Sequence, residues 1–281
     1  MRSTTGSLFL VATPIGNLED ITLRALRTLR EVDIIAAEDT RRTRKLLSFY
    51  DIHRPLLSYH DHNAAVQTPH LLAELQAGKA VALVSDAGTP SIADPGFDLV
   101  RRAVAAGIQV LAIPGPSALI SSLIVSGLPT DKFLFLGYPP SRSAARCAFL
   151  ARYSHVQETL VLFESPHRLP ASLCDMYKIW GSRQVAVTRE LTKIHEEVFR
   201  GSLEQAVAHW QKPPRGEVTL VVAGVSPEAE KVYDSLEEEL RLRLQSTEKP
   251  LKEIVAEVAL ARGLSKRLVY QQALKIRRQD R

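Results

Sequence analysis

The chain has 281 residues, of which 45% are hydrophobic and 24% charged, and its formal net charge is +5. That composition excludes a disordered chain, a collagen-like repeat, a coiled coil and a disulfide scaffold. The length suffices for a sizeable core in roughly two domains. The two cysteines, Cys147 and Cys174, fit neither a zinc ribbon nor a redox CxxC. No secretory signal is read at the N-terminus, so a reducing cytoplasm is the expected setting. Apolar runs such as 8–12 and 81–84 fall short of the roughly 20 residues that span a bilayer, so no membrane association is expected. The positive charge permits a polyanionic partner.

In chain order, 8–12 reads as a short buried strand ending in the turn Pro14-Ile15-Gly16-Asn17. Asp20 looks like the N-cap of a helix carrying Leu23, Leu26 and Leu29. A second strand is expected at 32–36. A helix at 40–47 follows, with the charge run Arg41-Arg42-Thr43-Arg44-Lys45. Residues 64–75 are helical and Gly78 closes them. Strand 81–85 precedes a helix over 94–106 that Asp94 would cap. Strand 110–113 runs into Pro114-Gly115-Pro116 and a helix from Ser117. Short buried strands separated by helices indicate a parallel sheet covered on both faces.

A second block starts near Leu128-Pro129. Its candidate strands are 133–136, 159–163, 184–189, 197–201 and 217–223, and its candidate helices 144–153, 168–177 and 203–210. The higher strand density predicts a mixed sheet. A third block from about Pro227 is helical: an acidic helix with Leu236, Leu240 and Leu244, then helices at about 251–261 and 266–278. No internal repeat or low-complexity tract is present.

Several chemistries lack their motif. There is no GxGxxG after a strand, no Walker A, no GxSxG elbow and no HExxH. His60-Asp61-His62 has no further ligand cluster nearby and reads as a polar loop, so no metal site is expected. The strongest segment is 84–96, VSDAGTPSIADPG, in which small residues fill a loop between a strand and a helix. Ligands of parallel sheets bind beyond the carboxyl ends of the strands. Small residues there let a ligand approach the backbone, and free N–H groups can hold an anion. The loops 13–17 and 114–118 lie at two other strand ends, so the three would line one crevice.

The segments VATPIGNLEDIT, AAEDTRRTRKLL, SDAGTPSIADPG, IPGPSAL, FLGYPP, FESPHRL, RELTKIHEE and RGEVTLVVAG together closely resemble the bacterial ribosomal RNA small subunit methyltransferase I family, within the tetrapyrrole-methylase-like superfamily. The resemblance runs from about residue 7 to the end. It implies two α/β domains of the tetrapyrrole-methylase (class III methyltransferase) type, 1–118 and 119–226, holding S-adenosyl-L-methionine in the cleft between them. A helical basic domain, 227–281, would follow. It further implies 2′-O-methylation of cytidine 1402 in 16S rRNA of the small ribosomal subunit, by a homodimer. Carried over by motif, the cofactor contacts fall on Ile15, Asp86, Gly88, Thr89, Ile92, Ser117, Ala118, Phe163, Glu217 and Val218. The superfamily's small-molecule branch has a glycine-rich first loop, which Thr13-Pro14-Ile15-Gly16-Asn17 replaces here.

Methyl transfer from a sulfonium is an in-line displacement with a neutral leaving group, so positioning and a base for the alcohol proton are what a protein can supply. Asp39, Glu164 and Glu190 sit at or near strand ends and are the candidate bases. Each could instead pair with a neighbouring arginine or cap a helix. Arg41, Arg42, Arg44 and Lys45 are expected on RNA phosphates, with Arg168, Arg189 and Lys193 nearer the cleft. Residues 249–281 hold nine Lys/Arg against three acids. The stretch from Ala259 to Gly263-Leu264-Ser265 looks like the turn of a helix-turn-helix with Ser265 as N-cap. Its second helix would offer Lys266, Arg267 and Lys275 to RNA. Two other functions compete: a small-molecule (tetrapyrrole) methyltransferase on the same fold, against which the basic tail and arginine run argue, and a non-catalytic nucleic-acid-binding regulator, which has no use for three crevice loops.

Overall fold

The computed structural model describes residues 6–225, 236–237, 240–241, 244, 250–261 and 264–279. The chain divides into two compact units, 1–225 and 226–281.

The first unit contains two five-stranded sheets. In the first sheet the strands are β1 (Ser7–Val11), β2 (Ile34–Ala37), β3 (Leu56–Ser58), β4 (Val81–Val84) and β5 (Gln109–Ile113), in the order β3-β2-β4-β1-β5. Every pairing is parallel. The helices between them are α1 (Leu23–Glu31), α2 (Thr40–Phe49), α3 (Ala64–Gln76) and α4 (Phe97–Ala105). One face of the sheet buries Val11, Ile35, Ala82 and Val84 with Leu26 and Leu29 of α1 and Leu47 of α2. The other buries Leu8, Ala36 and Leu83 with Leu71 and Leu75 of α3 and Leu99 of α4. Burial on both faces is why β4 reads as a run of four apolar residues rather than an alternation.

Two helix starts differ from expectation. Thr22, not Asp20, caps α1, accepting from Ala25 N at 3.1 Å. Asp20 belongs to a short 3₁₀ turn, Leu18–Asp20, capped by Asn17. Helix α4 begins at Phe97 after Gly96, and Asp94 stays in the loop before it. That loop holds Ser91 at φ 69° and Ala93 at φ 61°, left-handed conformations that stop a helix from starting earlier. The edge strand β3 had no sequence signature, since three residues are too few to show a period.

Helix α5 (Ala118–Val125) follows β5 but packs on the second sheet, where Leu119 and Leu123 meet Val161, Ala186 and Val221. That sheet comprises β6 (Phe133–Phe135), β7 (Thr159–Glu164), β8 (Gln184–Arg189), β9 (Glu197–Ser202) and β10 (Val218–Val222), ordered β6-β7-β10-β8-β9. Only β6–β7 is parallel, so the sheet is mixed. Its other face is covered by α6 (Ser143–Ala151), α7 (Leu169–Trp180) and α8 (Leu203–His209) over Leu160, Leu162, Val187 and Leu220. The two halves meet where Asn17 N donates to Thr192 Oγ1 at 3.1 Å. Gly16 permits this approach: a Cβ there would lie 2.5 Å from Lys193 Cγ and 2.7 Å from Thr192 Oγ1.

In the second unit, α9 (Leu251–Ala261) and α10 (Lys266–Gln279) share a core of Leu240, Ile254, Val255, Val258, Val269, Ala273 and Ile276. Leu236 and Leu244 pack against it. Ser265 caps α10, accepting from Leu268 N at 3.3 Å. Gly263 of the expected turn lies outside the described residues. No described helix is long and apolar enough to cross a membrane.

Candidate active-site cleft

Three loops at the carboxyl ends of β1, β4 and β5 are stitched together. Thr13 and Gly88 exchange both backbone hydrogen bonds at 2.9 Å, and Thr13 Oγ1 donates to Ser85 O at 3.3 Å. Gly88 sits at φ 82°, which a side chain would strain, and a Cβ there would point at Ile15 Cγ2. Thr89 Oγ1 donates to Pro116 O at 3.3 Å, tying the β4 loop to the β5 loop. Ser117 then caps α5 through a hydrogen bond from Ile120 N at 3.4 Å.

These loops form one side of a cavity of about 350 Å³. The other side comes from the second sheet: Tyr138, the β7 end from Phe163 to Pro166, and Glu217, Val218 and Thr219 at the start of β10. Phe163 is held edge-on by Phe135 at 4.9 Å and flanked by Tyr138 at 5.6 Å, giving an aromatic wall. All ten residues expected to touch the cofactor line this one cavity: Ile15, Asp86, Gly88, Thr89, Ile92, Ser117, Ala118, Phe163, Glu217 and Val218.

The three expected bases are placed differently. Asp39 does not line the cleft. It is the N-cap of α2, accepting from Arg41 N at 2.8 Å, and Arg41 grips both its oxygens at 3.0 and 2.7 Å. The hydrogen bonds from Arg41 hold its carboxyl far below the usual carboxylate range. Such a group is fixed as an anion and is a poor proton acceptor. Glu164 lines the cleft but is 2% exposed. Its oxygens accept from Ser165 N at 2.7 Å, from Arg168 at 2.5 Å and from the Ser172 hydroxyl. That network is a buried structural anchor. Glu190 sits at φ 53° outside the cleft, taking Lys193 Nζ at 2.8 Å and Glu217 N at 2.9 Å on one oxygen. Burial pushes its carboxyl up, but those hydrogen bonds and the Lys193 charge outweigh it and leave it lowered.

Besides Glu164, the acids that line the cleft are Glu38, Asp86, Asp94 and Glu217. Sequence reading passed over Glu38 in favour of its neighbour. Successive residues leaving a strand point to opposite sides, so only one of Glu38 and Asp39 can face the cavity. Asp86 Oδ1 accepts from Asp39 N at 2.9 Å and its Oδ2 lies 3.3 Å from Arg42 Nη1. Burial, then the nearby Asp86 charge, raises the Glu38 carboxyl. Burial, then the Glu38 charge, pushes Asp94 up to about 7. Tyr138, also lining the cleft, is raised by burial. Among the described residues no cluster of His, Cys, Asp or Glu could hold a metal ion.

The expected RNA contacts scatter over the surface. Arg41, Arg42, Arg44 and Lys45 are exposed along α2, and Arg42 also lines the cleft. Arg168 is paired with Glu164, Arg189 with Glu197 at 2.9 Å, and Lys193 with Glu190 and Glu217. In the second unit Lys266, Arg267 and Lys275 are exposed on α10.

The model of the tetrapyrrole (corrin/porphyrin) methylases matches residues 7–207. A protein named ribosomal RNA small subunit methyltransferase I from Halalkalibacterium halodurans is 47% identical, the match covering 96% of this chain and 95% of that one. Proteins of the same name from Synechocystis and Pseudomonas aeruginosa are 50% and 46% identical over 86% and 96% of this chain, and 86% and 97% of theirs. Among solved structures, uroporphyrin-III C-methyltransferase from Thermus thermophilus, complexed with S-adenosyl homocysteine, superposes with a TM-score of 0.55 at 20% identity, covering 78% of this chain and 97% of that one. A further structure of a Thermus thermophilus uroporphyrin-III C-methyltransferase gives 0.56 at 21% identity, covering 78% and 94%. At such identity the likeness concerns the fold. With near-half identity along almost its whole length, the chain belongs to the ribosomal RNA small subunit methyltransferase I family, within the tetrapyrrole methylases.

Proposed function

We propose that this protein transfers the methyl group of S-adenosyl-L-methionine to the ribose 2′-hydroxyl of cytidine 1402 in 16S rRNA of the small ribosomal subunit. The reading is carried by one observation: the residues matching the family's cofactor motifs, from five separate stretches of sequence, line a single cavity. The lining suits that donor. Phe163, Ile15, Ile92 and Val218 offer apolar surface for a flat base, Thr89 and Ser117 offer hydroxyls, and Gly88 takes the left-handed backbone that turns the loop along the cavity. Glu38, Asp86, Asp94 and Glu217 oppose a cationic sulfonium with negative charge. When bound, the donor supplies an electrophilic methyl on a neutral leaving group.

The protein's own part is to position the hydroxyl and accept its proton. A bond forms from the ribose oxygen to the methyl carbon, the carbon–sulfur bond breaks, and the hydroxyl proton leaves. Of the cleft carboxylates, Asp94 is the best suited to take that proton. Burial and the Glu38 charge push its carboxyl up to about 7, where its ionised form is a stronger proton acceptor than an ordinary carboxylate, whereas Asp39, Glu164 and Glu190 are committed to arginines, a lysine and backbone N–H groups. Arg41, Arg44 and Lys45 on α2 and Lys266, Arg267 and Lys275 on α10 are assigned to phosphates. The family resemblance supports a homodimer in the cytoplasm. A tetrapyrrole substrate would fit the fold but leave these exposed cations without a role.

The test is methyl incorporation from labelled S-adenosyl-L-methionine into 30S subunits lacking the modification. Mapping then follows, through the resistance of 2′-O-methylated ribose to alkaline cleavage. Label at cytidine 1402 is expected. Label in a tetrapyrrole and none in the subunit would overturn the reading.

A further inference from the structure

A displacement in line with the sulfonium needs the acceptor to enter from a space that opens onto the donor cleft. A candidate for that space adjoins the donor cleft. A second cavity, of about 220 Å³, lies between the β1 loop and α2 and shares Arg42 and Asp86 with the first. The Arg42–Asp86 pair at 3.3 Å therefore stands as a partition between the two.

The second cavity has a different character from the first. Pro14, Leu18, Leu46 and Phe49 give it apolar walls, and Lys45 and Arg42 stand over it. Its one acid is the Asp86 it shares. Phe49 is 64% exposed. The ring is nevertheless braced. Tyr50 meets it edge-on at 4.9 Å, and Tyr50 is pinned by its hydroxyl donating to Leu18 O at 2.6 Å. An exposed aromatic ring braced from one side, beside the exposed cations Lys45 and Arg42, is what single-stranded RNA requires: a stacking surface for an unstacked base and charge for its phosphates. Beyond it lies a third, open hollow of about 660 Å³ that shares Leu18 and Phe49 and extends to Lys193 and Ile194. That hollow gives a flanking nucleotide somewhere to go.

Building on the RNA-methylation reading, we infer that this second cavity is the subsite for the acceptor nucleotide. Its base stacks on Phe49, and its ribose is presented across the Arg42–Asp86 partition to the donor cleft. The nucleotide must leave its stack to enter, as enzymes that act on buried nucleotide atoms require.

The test uses the full chain with Phe49→Ala, Phe49→Leu and Phe49→Trp. The site is on the surface, so folding is not at stake. Two readouts are taken: KM and kcat for methyl transfer to 30S subunits, and fluorescence anisotropy of a labelled RNA fragment carrying the acceptor region. The expectation is a KM raised about tenfold in Phe49→Ala and Phe49→Leu, matched by weaker RNA binding, with kcat and cofactor affinity within about twofold of wild type. Phe49→Trp restores both. A wild-type KM in Phe49→Ala, or a Phe49→Leu as good as Phe49→Trp, would overturn the stacking subsite while leaving the methyl-transfer reading intact. RNA binding that depends on Phe49 without any methyl transfer would overturn that reading and keep the subsite. Neither binding nor transfer would overturn both.

Discussion

Arg42 Nη1 lies 3.3 Å from Asp86 Oδ2, while the other oxygen of Asp86 accepts the backbone N–H of Asp39 at 2.9 Å. One carboxylate thus ties the loop after β4 to the start of α2, on the boundary between the donor cleft and the basic face of that helix. Its charge faces the cleft together with Glu38 and Asp94.

The first prediction uses that charge. Asp86→Asn keeps the shape and an acceptor for Asp39 N but removes a negative charge and leaves Arg42 unpaired. Affinity for the sulfonium donor should fall about five- to tenfold, and affinity for the neutral thioether product should fall much less. Calorimetry with both ligands measures the ratio. An equal loss for the two would mean that Asp86 acts through geometry alone.

A second substitution tests whether the cleft is the donor's place at all. Thr89 lines it from a loop outside the hydrophobic cores, and its hydroxyl reaches only Pro116 O. Thr89→Arg should fill the cavity, abolishing donor binding by calorimetry while Tm shifts by no more than a few degrees. Wild-type affinity in a folded Thr89→Arg would remove this loop from the site.

Asp94 links stability and activity through pH. Its carboxyl is pushed up to about 7 in the fold, against about 3.8 in an unfolded chain. The unfolded state therefore ionises first as pH rises. The stability associated with the neutral form is complete below about pH 4 and is lost progressively up to about pH 7. Asp94→Asn, neutral throughout, should match wild type in Tm at pH 4 and exceed it by a few degrees at pH 8. Water in the cleft screens the effect to on the order of 1 kcal/mol. The same variant should lose about 10²–10⁴-fold in the transfer step, and the rising limb of the wild-type rate near pH 7 should vanish with it. A single-turnover rate within tenfold of wild type would show that positioning alone drives the reaction.

Strand ends and glycine-rich loops were legible in the sequence because each is a local signal: an apolar run, then residues that break it. The strand of residues 184–189 could be read to the residue, and the helix of residues 251–261 was placed, for that reason. The roles of individual carboxylates were not legible. Asp39 and Glu38 are adjacent and chemically alike, and only the parity of the backbone leaving β2 decides which faces the cavity. Asp94 looked like a cap because Asp before Pro-Gly commonly is one. The left-handed backbone at Ser91 and Ala93, which no local pattern announces, keeps it in the cleft instead. Glu164 became a buried anchor because Arg168 and Ser172, four and eight residues on, reach back to it. Such pairings are set by tertiary packing.

The last prediction concerns α10. Lys266, Arg267 and Lys275 are exposed there, while the same helix buries Val269, Ala273 and Ile276 against α9. Two explanations compete for this amphipathic arrangement. In one the cations merely solvate a packed helix; in the other they meet RNA phosphates. Replacing all three by Ala removes charge without touching the buried stripe, so Tm should hold in either case. Each phosphate contact releases counterions and adds about 0.7 to the slope of log affinity against log salt for single-stranded RNA. Three lost contacts should lower that slope by about 2 in titrations of small-subunit particles at several salt concentrations, and affinity at low salt should fall the most. Donor binding in the first unit should be unchanged. An unaltered slope in the triple variant would make the α10 cations solvent-facing only and would leave the phosphate contacts to α2.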